Sequence, residues 1–447
     1  MEEYRRNAEK LLDFIEKSPC SYQAVENMKN DLEVAGFCRL QEQNPWKLQA
    51  GGAYYVTRND SSLIAFRMPE NREFRGFQII ASHSDSPALR VKENPALGAE
   101  GCYIRLNTEK YGGMIHSTWL DRPLSVAGRL TVREMKDGQT VLRTVPVNVN
   151  RDLVLIPSLA IHMNREANQG FVFNSQTDLL PLFGDDGAKS ALPEILAEAA
   201  GASAADIISS DLYVYNRQKG SIWGADSQYV SSPRLDDLEC VFASLQGILA
   251  AGNSENVCVH CVLDNEEVGS GTRQGAASTF LKDTLRRISQ NMESAGGWKE
   301  EDYLRQIAGS FLLSADNAHA VHPNRGEKAD PVNRPRMNEG VVLKFSGNQN
   351  YTSDGLSSAV VRLLCDKADV PQQVFTNRSD SPGGSTLGNI STAQVPVTSA
   401  DIGLPQLAMH SAYETAGVKD LTWLIRLMEG FFASTVEMAA DGGIYIR

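Results

Sequence analysis

Three short apolar runs constrain the fold of this chain more than any other feature of its sequence. Residues 77–81, 257–263 and 311–315 are almost continuous in apolar side chains, and polar or turn-forming residues follow each of them. Strands that are buried on both faces carry such runs, and they are typical of parallel sheets covered by helices on both sides. The sequence therefore predicts an α/β fold in which these runs are central strands.

Helical patterns flank these runs near both ends of the chain. Apolar residues recur at helical spacing in 3–17, 235–249 and 421–438, and a Ser-Pro pair or a glycine ends the first two of these segments. Because strands and helices of the same kind stand near both termini, we predict one α/β domain built from residues 1–90 and 231–447.

The middle of the chain has a different character. Residues 128–135, 140–150 and 211–217 alternate in polarity or are rich in β-branched side chains, with Gly and Pro between them. An alanine-rich stretch, 191–208, predicts one helix. We therefore interpret residues 91–230 as a β-rich domain that is inserted into the α/β domain.

Composition excludes several classes of function and compartment. The formal net charge is −12, whereas binding to nucleic acid phosphates needs a basic face. The N-terminus lacks a secretory signal pattern, and no apolar stretch approaches the roughly 20 residues that span a bilayer. The seven cysteines are dispersed, and the single CxxC pair, Cys258 and Cys261, lies in a strand-like run. We expect a cytoplasmic protein that binds neither membrane nor nucleic acid.

Histidine and acidic residues follow these three apolar runs and a fourth short one, residues 407–409. His83 and Asp85 follow the first, residues 264–267 the second, Asp316 the third, and His410 follows residues 407–409. Each of these positions alone is more often a polar surface turn or a solvated helix end than a ligand. Functional sites of open α/β sheets gather at the carboxyl ends of strands, however. The repetition therefore predicts one shared metal site.

Five motifs in this order resemble the signatures of the aspartyl aminopeptidase family of dinuclear zinc peptidases. They are ASHSDSP at 81–87, RLDDL at 234–238, DNEEVG at 264–269, SADNAHAVHPN at 314–324 and QLAMHS at 406–411. A similar block at 112–122 lies within the predicted insertion. The resemblance implies a zinc-exopeptidase-like, three-layer α/β/α catalytic domain with an inserted oligomerisation domain. It also implies an aminopeptidase that acts on peptides, and a homo-oligomer in the form of a tetrahedral dodecamer.

The resemblance also implies a metal centre that holds two Zn²⁺ ions per subunit, with Mn²⁺ or Co²⁺ as possible substitutes. By carry-over, His83 and Asp316 bind one ion, Glu267 and His410 bind the other, and Asp236 bridges both. Imidazole and carboxylate groups are ligands that suit these cations.

Four further residues receive roles from the same resemblance. Glu266 is expected to be the general base, and Asp85 to orient His83. His162, in the insertion, is expected to reach a neighbouring subunit's active site, although a histidine packed in its own domain is the ordinary alternative. Lys344 is expected to bind the acidic side chain of a substrate's first residue, although a strand end that reaches the surface would also explain a lysine there.

Several alternatives remain open at this stage. Residues 346–351 depart from the animal-type pattern, so an enzyme of the same family that prefers neutral first residues is the main alternative to acidic specificity. A dinuclear carboxypeptidase or amidohydrolase on the same fold is a second rival. A non-catalytic scaffold particle is a third, and it predicts a damaged metal set. Asp237 and Glu239 are expected on the helix surface or behind the ligands.

Overall fold

The computed structural model describes residues 2–71, 74–252, 254–291, 297–439 and 441–447. Within these ranges the chain forms nine α-helices, numbered in chain order: α1 (Glu2–Lys17), α2 (Ser21–Val34), α3 (Ala191–Ala200), α4 (Leu235–Ala250), α5 (Phe280–Ser289), α6 (Glu300–Ala308), α7 (Gly355–Lys367), α8 (Leu387–Gln394) and α9 (Val418–Ala433).

A nine-stranded sheet forms the centre of the α/β unit. Numbering all strands β1–β22 along the chain, its spatial order is β1 (Cys38–Arg39), β2 (Ala53–Arg58), β3 (Ser62–Arg67), β13 (Val257–Leu263), β4 (Phe77–His83), β14 (Phe311–Ala315), β18 (Thr398–Gly403), β16 (Val341–Phe345) and β17 (Gln372–Thr376). The strands β13, β4, β14 and β18 are mutually parallel. The three apolar runs are therefore central parallel strands, as predicted.

Helices cover both faces of this sheet. One buried core joins the sheet to α1, α2, α4, α7 and α9, and a second core joins its other face to α5, α6 and α8. The side chains of β13 show the alternation: Cys258 and Val262 belong to the first core, and Val259 and Cys261 to the second. Because successive side chains of a strand point to opposite faces, the three-layer α/β/α architecture is confirmed.

The inserted segment forms a six-stranded antiparallel sheet. Its order is β8 (Gln139–Asn148), β7 (Leu124–Lys136), β10 (Ile207–Asn216), β5 (Ala88–Ala99), β6 (Tyr103–Tyr111) and β9 (Leu182–Asp185). Leu192 and Leu196 of α3 pack against its core. The predicted helix at 191–208 is too long, because Gly201 adopts a left-handed conformation (φ 63°) that ends α3, and β10 begins at Ile207.

The chain between β10 and α4, most of it within the predicted bounds of the insertion, pairs with the C-terminal part of the molecule. A five-stranded sheet has the order β11 (Ser221–Trp223), β12 (Tyr229–Ser232), β20 (Glu414–Gly417), β19 (Pro405–Leu407) and β15 (Ala318–His319). The last helix is shorter than the predicted 421–438, since residues 436–438 form a small hairpin of β21 (Val436–Met438) and β22 (Ile444–Ile446). In the part of the chain described here, no helix is both long and apolar enough to span a bilayer.

A buried histidine in β13 makes the fold sensitive to acid. His260 is 0% exposed, neither ring nitrogen has a hydrogen-bond partner among the described residues, and burial lowers its pKa to about 3. The folded state therefore keeps His260 neutral, whereas the unfolded chain protonates it below a pKa of about 6.5. By linkage, this group lowers the free energy of unfolding as pH falls below that value.

We expect His260→Leu to stabilise the protein, and to do so more strongly in acid. Between pH 7.5 and pH 5.5, protonation of His260 in the unfolded wild type lowers the free energy of unfolding by about 1.4 kcal/mol, and the Leu variant avoids this loss. The measurement is Tm at both pH values in the presence of EDTA, so that metal loss does not contribute. The exposed His322 provides a control, His322→Leu. If the Tm difference between His260→Leu and wild type were the same at pH 5.5 and at pH 7.5, the prediction would be contradicted.

Candidate active site

The parallel strands bring three of the predicted site segments to one edge of the central sheet. His83 is the last residue of β4, and it lies opposite Leu263, the last residue of β13, in the parallel register. Residues 264–267 follow directly, and Asp316 follows β14, which pairs with β4 on its other side. Because parallel strands end at the same edge, these side chains converge there.

Asp236 and His410 reach the same place from turns rather than from strand ends of the central sheet. Asp236 lies at the start of α4 in a non-helical conformation, and its peptide bond to Asp237 is cis. His410 follows β19 and has a φ of 66°. The buried carboxylate of Glu414 joins the two turns, since it accepts the backbone N–H of Asp236 (3.0 Å) and that of His410 (2.7 Å). This pair of hydrogen bonds fixes one turn against the other.

Asp236 stands between the two histidines. Its Oδ1 lies 3.5 Å from Nε2 of His83, and its Oδ2 lies 3.4 Å from Nε2 of His410. Nε2 of His410 is also 3.3 Å from Oε2 of Glu267. Two groups of potential ligands, each with atoms within 4.8 Å of one another, therefore share Asp236: His83, Asp236, Asp237 and Asp316 form one, and Asp236, Glu267 and His410 form the other.

The chemistry of this cluster fits divalent cations. Among the described residues, Oδ1 of Asp236 and Oε1 of Glu267 are buried without a hydrogen-bond partner. Burial, together with repulsion from Asp236, raises the pKa of Glu267 well above its usual value. Burial and the same carboxylate raise the pKa of Asp316 to about 6, although Lys344 opposes the shift. Packing several carboxylates this closely is unfavourable unless cations neutralise them.

Asp85 organises the segment that carries the two glutamates. Its Oδ1 accepts the backbone N–H of Glu266 (3.1 Å), and its Oδ2 accepts that of Glu267 (3.2 Å). Two oxygens of Asp85 face His83: Nδ1 of His83 lies 3.1 Å from the backbone carbonyl oxygen of Asp85 and 3.4 Å from its Oδ1. Asp85 therefore contacts both the histidine that it was predicted to orient and the turn after β13.

Glu266 has the environment of a group that exchanges protons near neutrality. It begins a short 3₁₀ turn, Glu266–Val268, and its side chain is partly buried. Burial and nearby carboxylates, partly offset by His83, raise its pKa to about 7. One of its oxygens lies within 4.8 Å of ligand atoms of His83 and Glu267. A carboxylate so placed can accept a proton from a water molecule at the cluster.

The structure places the two remaining predicted residues very differently. Lys344 is 2% exposed, so its side chain does not reach the surface, and the alternative of a surface-reaching strand end is wrong. Its Nζ donates to the carbonyl oxygen of Asn317 (3.1 Å) and lies 3.8 Å from Oδ1 of Asp316. His162 is exposed in a turn of the insertion. It belongs to no helix or strand of the described chain.

Some supporting residues of the site were predicted only as alternatives, and others were not predicted from the sequence. Asp237 and Glu239 were expected on the helix surface or behind the ligands; both are 0% exposed, so the helix-surface alternative is wrong. Oδ2 of Asp237 accepts the backbone N–H of His83 (3.2 Å). Tyr111 and Glu414 also contact the ligand-bearing turns. Glu414 stands four residues after His410, at the start of β20, but an isolated Glu gives no signal by itself.

Comparison with known proteins identifies this arrangement. The sequence profile described as aminopeptidase I zinc metalloprotease (M18) matches residues 14–432. The chain belongs to the M18 family. A probable M18 family aminopeptidase 2 of Clostridium novyi is 46% identical over 432 residues, which cover 95% of this chain and 98% of that protein. This M18 aminopeptidase is therefore a zinc-dependent hydrolase of peptide bonds, and its buried His, Asp and Glu cluster is able to hold the metal.

Solved structures agree with the M18 fold. The cryo-EM structure of an Ape4 and Nbr1 complex superposes with a TM-score of 0.91 at 36% identity, covering 96% of this chain and 86% of that one. The mApe1 dodecamer of S. cerevisiae gives a TM-score of 0.83 at 28% identity, covering 95% and 96% of the two chains. The zinc-exopeptidase-like α/β fold of this M18 aminopeptidase is thus confirmed.

Proposed function

We propose that this M18 aminopeptidase removes acidic N-terminal residues from peptides through a two-zinc centre, with Glu266 as the general base. The observation that carries the proposal is the position of Asp236, whose two carboxylate oxygens face one histidine each. A carboxylate with this geometry can bridge two cations. His83 and Asp316 complete one site, and Glu267 and His410 complete the other. Mn²⁺ or Co²⁺ could substitute for zinc at such ligands.

Zinc ions held by these residues would polarise the scissile carbonyl and make the attacking water molecule more acidic. Glu266 takes a proton from that water as its oxygen attacks the carbonyl carbon. When the C–N bond breaks, Glu266 returns the proton to the leaving amine. The position of Glu266 supports this role, because one of its oxygens lies within 4.8 Å of ligand atoms of His83 and Glu267, and a base must lie near the proton that it takes. Asp85 keeps His83 and the turn bearing Glu266 in place.

Acidic specificity depends on a cation near the reacting bond, and Lys344 is our candidate. Burial alone would lower the pKa of Lys344, but the carboxylates of Asp316 and Asp401, with Tyr351, raise it above its ordinary value. The side chain therefore stays charged beside a ligand of the metal centre. A positive charge so close to the cluster favours a substrate whose first side chain is anionic.

A preference for neutral first residues is the alternative, and one observation favours it. The ammonium group of Lys344 is already engaged by Asn317 and Asp316, and little of it is accessible. A paired and buried cation attracts an incoming carboxylate less strongly than a free one. Specificity has to be measured as a ratio of substrates, because a change at Lys344 also disturbs Asp316.

We expect kcat/KM for an N-terminal Asp substrate to exceed that for the Leu substrate by about tenfold or more, and Lys344→Gln to reduce this ratio towards one. The measurement uses zinc-loaded enzyme with Asp, Glu, Leu and Lys reporter substrates. Lys328→Gln, in the neighbouring pocket lined by His319 and Arg378, is the matched control. Equal kcat/KM values for the Asp and Leu substrates in the wild type would contradict acidic specificity, and a higher value for Leu would establish the neutral preference instead.

We further propose that the chain assembles as a tetrahedral homododecamer in the cytoplasm. The mApe1 chains of S. cerevisiae form a dodecamer, which supports this for a chain of the same fold. The segment 159–172, which contains His162, also exposes apolar side chains that a second subunit could cover: Leu159, Ile161, Met163, Phe171 and Val172. Seven unpaired cysteines suit a reducing compartment, and the net charge suits peptide rather than nucleic acid partners.

If His162 serves a neighbouring subunit, two inactive variants should complement each other. We expect His162→Ala and Glu266→Gln each to be inactive alone. Co-assembled in equal amounts, they should recover about one quarter of the wild-type rate, because each site of a symmetric assembly draws one essential side chain from each of two subunits. Mixing the two variants after separate assembly is the control. Absence of recovery in verified mixed oligomers would contradict the role of His162.

A further inference from the structure

Residues 111–118 of the inserted unit lie against the active site of their own chain. We call them the contact segment. It starts at Tyr111, the last residue of β6, and it runs alongside His410. The backbone N–H of Ile115 donates to the carbonyl oxygen of His410 (2.9 Å), and Thr118 Oγ1 accepts the N–H of Ala412 (2.9 Å). The inserted unit thus touches a predicted metal ligand within the same subunit.

Tyr111 connects the contact segment to the turn after β13. Its side chain is 7% exposed, and its hydroxyl donates to Oδ2 of Asp85 (2.7 Å). The same hydroxyl accepts a hydrogen bond from Nδ2 of Asn265 (2.8 Å). Asn265 is in turn held at Oδ1 by Thr272 and Gln274, each at 2.8 Å. The hydroxyl of Tyr111 and the side-chain amide of Asn265 therefore have defined partners.

The partners of Tyr111 are the residues that shape the glutamate turn. Asn265 has a φ of 63°, a left-handed conformation that starts the turn towards Glu266. Asp85 accepts the backbone N–H groups of Glu266 and Glu267 with its two oxygens. Hydrogen bonds to a carboxylate are strong and directional. Tyr111 thus contacts both side chains that hold this turn, Asp85 and Asn265.

The next two residues of the contact segment approach the metal cluster directly. A Cβ placed on Gly112 would lie 3.1 Å from Cβ of Glu267, so the glycine allows the backbone to pack against this side chain. The carbonyl oxygen of Gly113 lies 2.9 Å from Nδ1 of His410. A carbonyl at that nitrogen makes it the proton-bearing one and leaves Nε2 free to bind a metal.

From these contacts we infer that the inserted unit completes the active site of its own chain, with Tyr111 as a positioning residue for the turn that carries Glu266 and Glu267. The inference rests on the proposed roles of those two glutamates. In addition to its proposed role in assembly, the insertion would then support catalysis within its own subunit. Loss of the Tyr111 hydroxyl loosens the turn without removing any ligand or base.

The test is Tyr111→Phe, which removes one oxygen atom and keeps the ring. We expect kcat to fall by about 10–100-fold, the range found when groups that orient metal ligands are lost. KM and zinc content should stay near the wild-type values. Tyr215→Phe is the matched control, because its hydroxyl makes a hydrogen bond of the same length (2.7 Å) to Asn148, within the inserted unit. A kcat for Tyr111→Phe equal to that of Tyr215→Phe would overturn the inference.

A second variant tests the contact segment independently of Tyr111. Gly112→Ala places a methyl group against Glu267, whereas Gly138→Ala meets no atom within 4 Å; their φ values are +77° and +78°, so the backbone strain is matched. In cobalt-loaded protein we expect only Gly112→Ala to shift the visible absorption bands. Identical spectra for the two variants would overturn the inference.

These outcomes separate this inference from the proposed function. If the wild type hydrolyses peptides, Glu266→Gln does not, and Tyr111→Phe matches its control, only the role of the insertion fails. If Glu266→Gln keeps the activity of the wild type, the proposed mechanism fails, whatever Tyr111→Phe does.

Discussion

Replacing Glu266 with glutamine should lower kcat by about 10³-fold or more while leaving the zinc content unchanged. The amide has almost the same shape as the carboxylate but cannot accept the proton of the attacking water, and general base catalysis contributes about 10²–10⁴-fold. Zinc should remain, because the proposed ligands are other residues. The measurement combines single-substrate kinetics with metal analysis of the same preparation.

A matched variant excludes a general effect of removing a negative charge. Glu339→Gln makes the same chemical change at an exposed position, where the side chain is 52% accessible and faces Arg336. It should retain the wild-type rate. Turnover by a zinc-replete Glu266→Gln protein within about tenfold of wild type would exclude Glu266 as the general base.

Replacing Asp236 with asparagine should have the largest effect on metal binding. Two of the three groups of potential ligands contain Asp236, and its two oxygens face the two histidines. In asparagine an amide nitrogen replaces one carboxylate oxygen, so only one atom of the side chain can still bind a metal ion. We expect less than one equivalent of zinc to remain after dialysis, and kcat/KM to fall by about 10³-fold. Tm should also lose its dependence on added zinc, since ligand binding stabilises the folded state.

Asp237→Asn is the matched control for this prediction. Asp237 is adjacent and equally buried, but it belongs to only one of the two groups that share Asp236. Its Oδ2 accepts a backbone N–H of His83, and an amide oxygen can do the same. We therefore expect it to retain zinc at the Glu267 and His410 side. An Asp236→Asn protein with two firmly bound zinc ions would refute the bridging role.

The sequence predicted those parts of the site that follow directly from strand geometry. The near-continuous apolar runs that became β4, β13 and β14 predicted buried parallel strands, and parallel strands end at one edge. His83 and Asp316 therefore met as expected from their positions after these runs. His410 was likewise predicted from its position after residues 407–409, whereas Asp236 could be added only through the family resemblance, because it reaches the cluster from a turn whose path depends on tertiary contacts.

Apart from Asp85, the sequence did not predict with a single expectation which residues support the ligands. Asp237 looks like an ordinary acid in the first turn of a helix, yet the packing of α4 against the sheet buries it completely. Lys344 ends an apolar strand, but its neighbours Asp316 and Asn317 come from another strand end. Tyr111 lies in a different structural unit from Asp85. Contacts between segments far apart in the chain leave no periodic signal in the sequence.

The most direct test of the two-metal centre is anomalous X-ray diffraction from crystals of the zinc-loaded protein, recorded on both sides of the zinc absorption edge. We predict two peaks per subunit, separated by roughly 3.5–4 Å, with the carboxylate of Asp236 between them. His83 and Asp316 should bind one peak, and Glu267 and His410 the other. A single peak, or two peaks that do not share Asp236, would contradict the proposed centre.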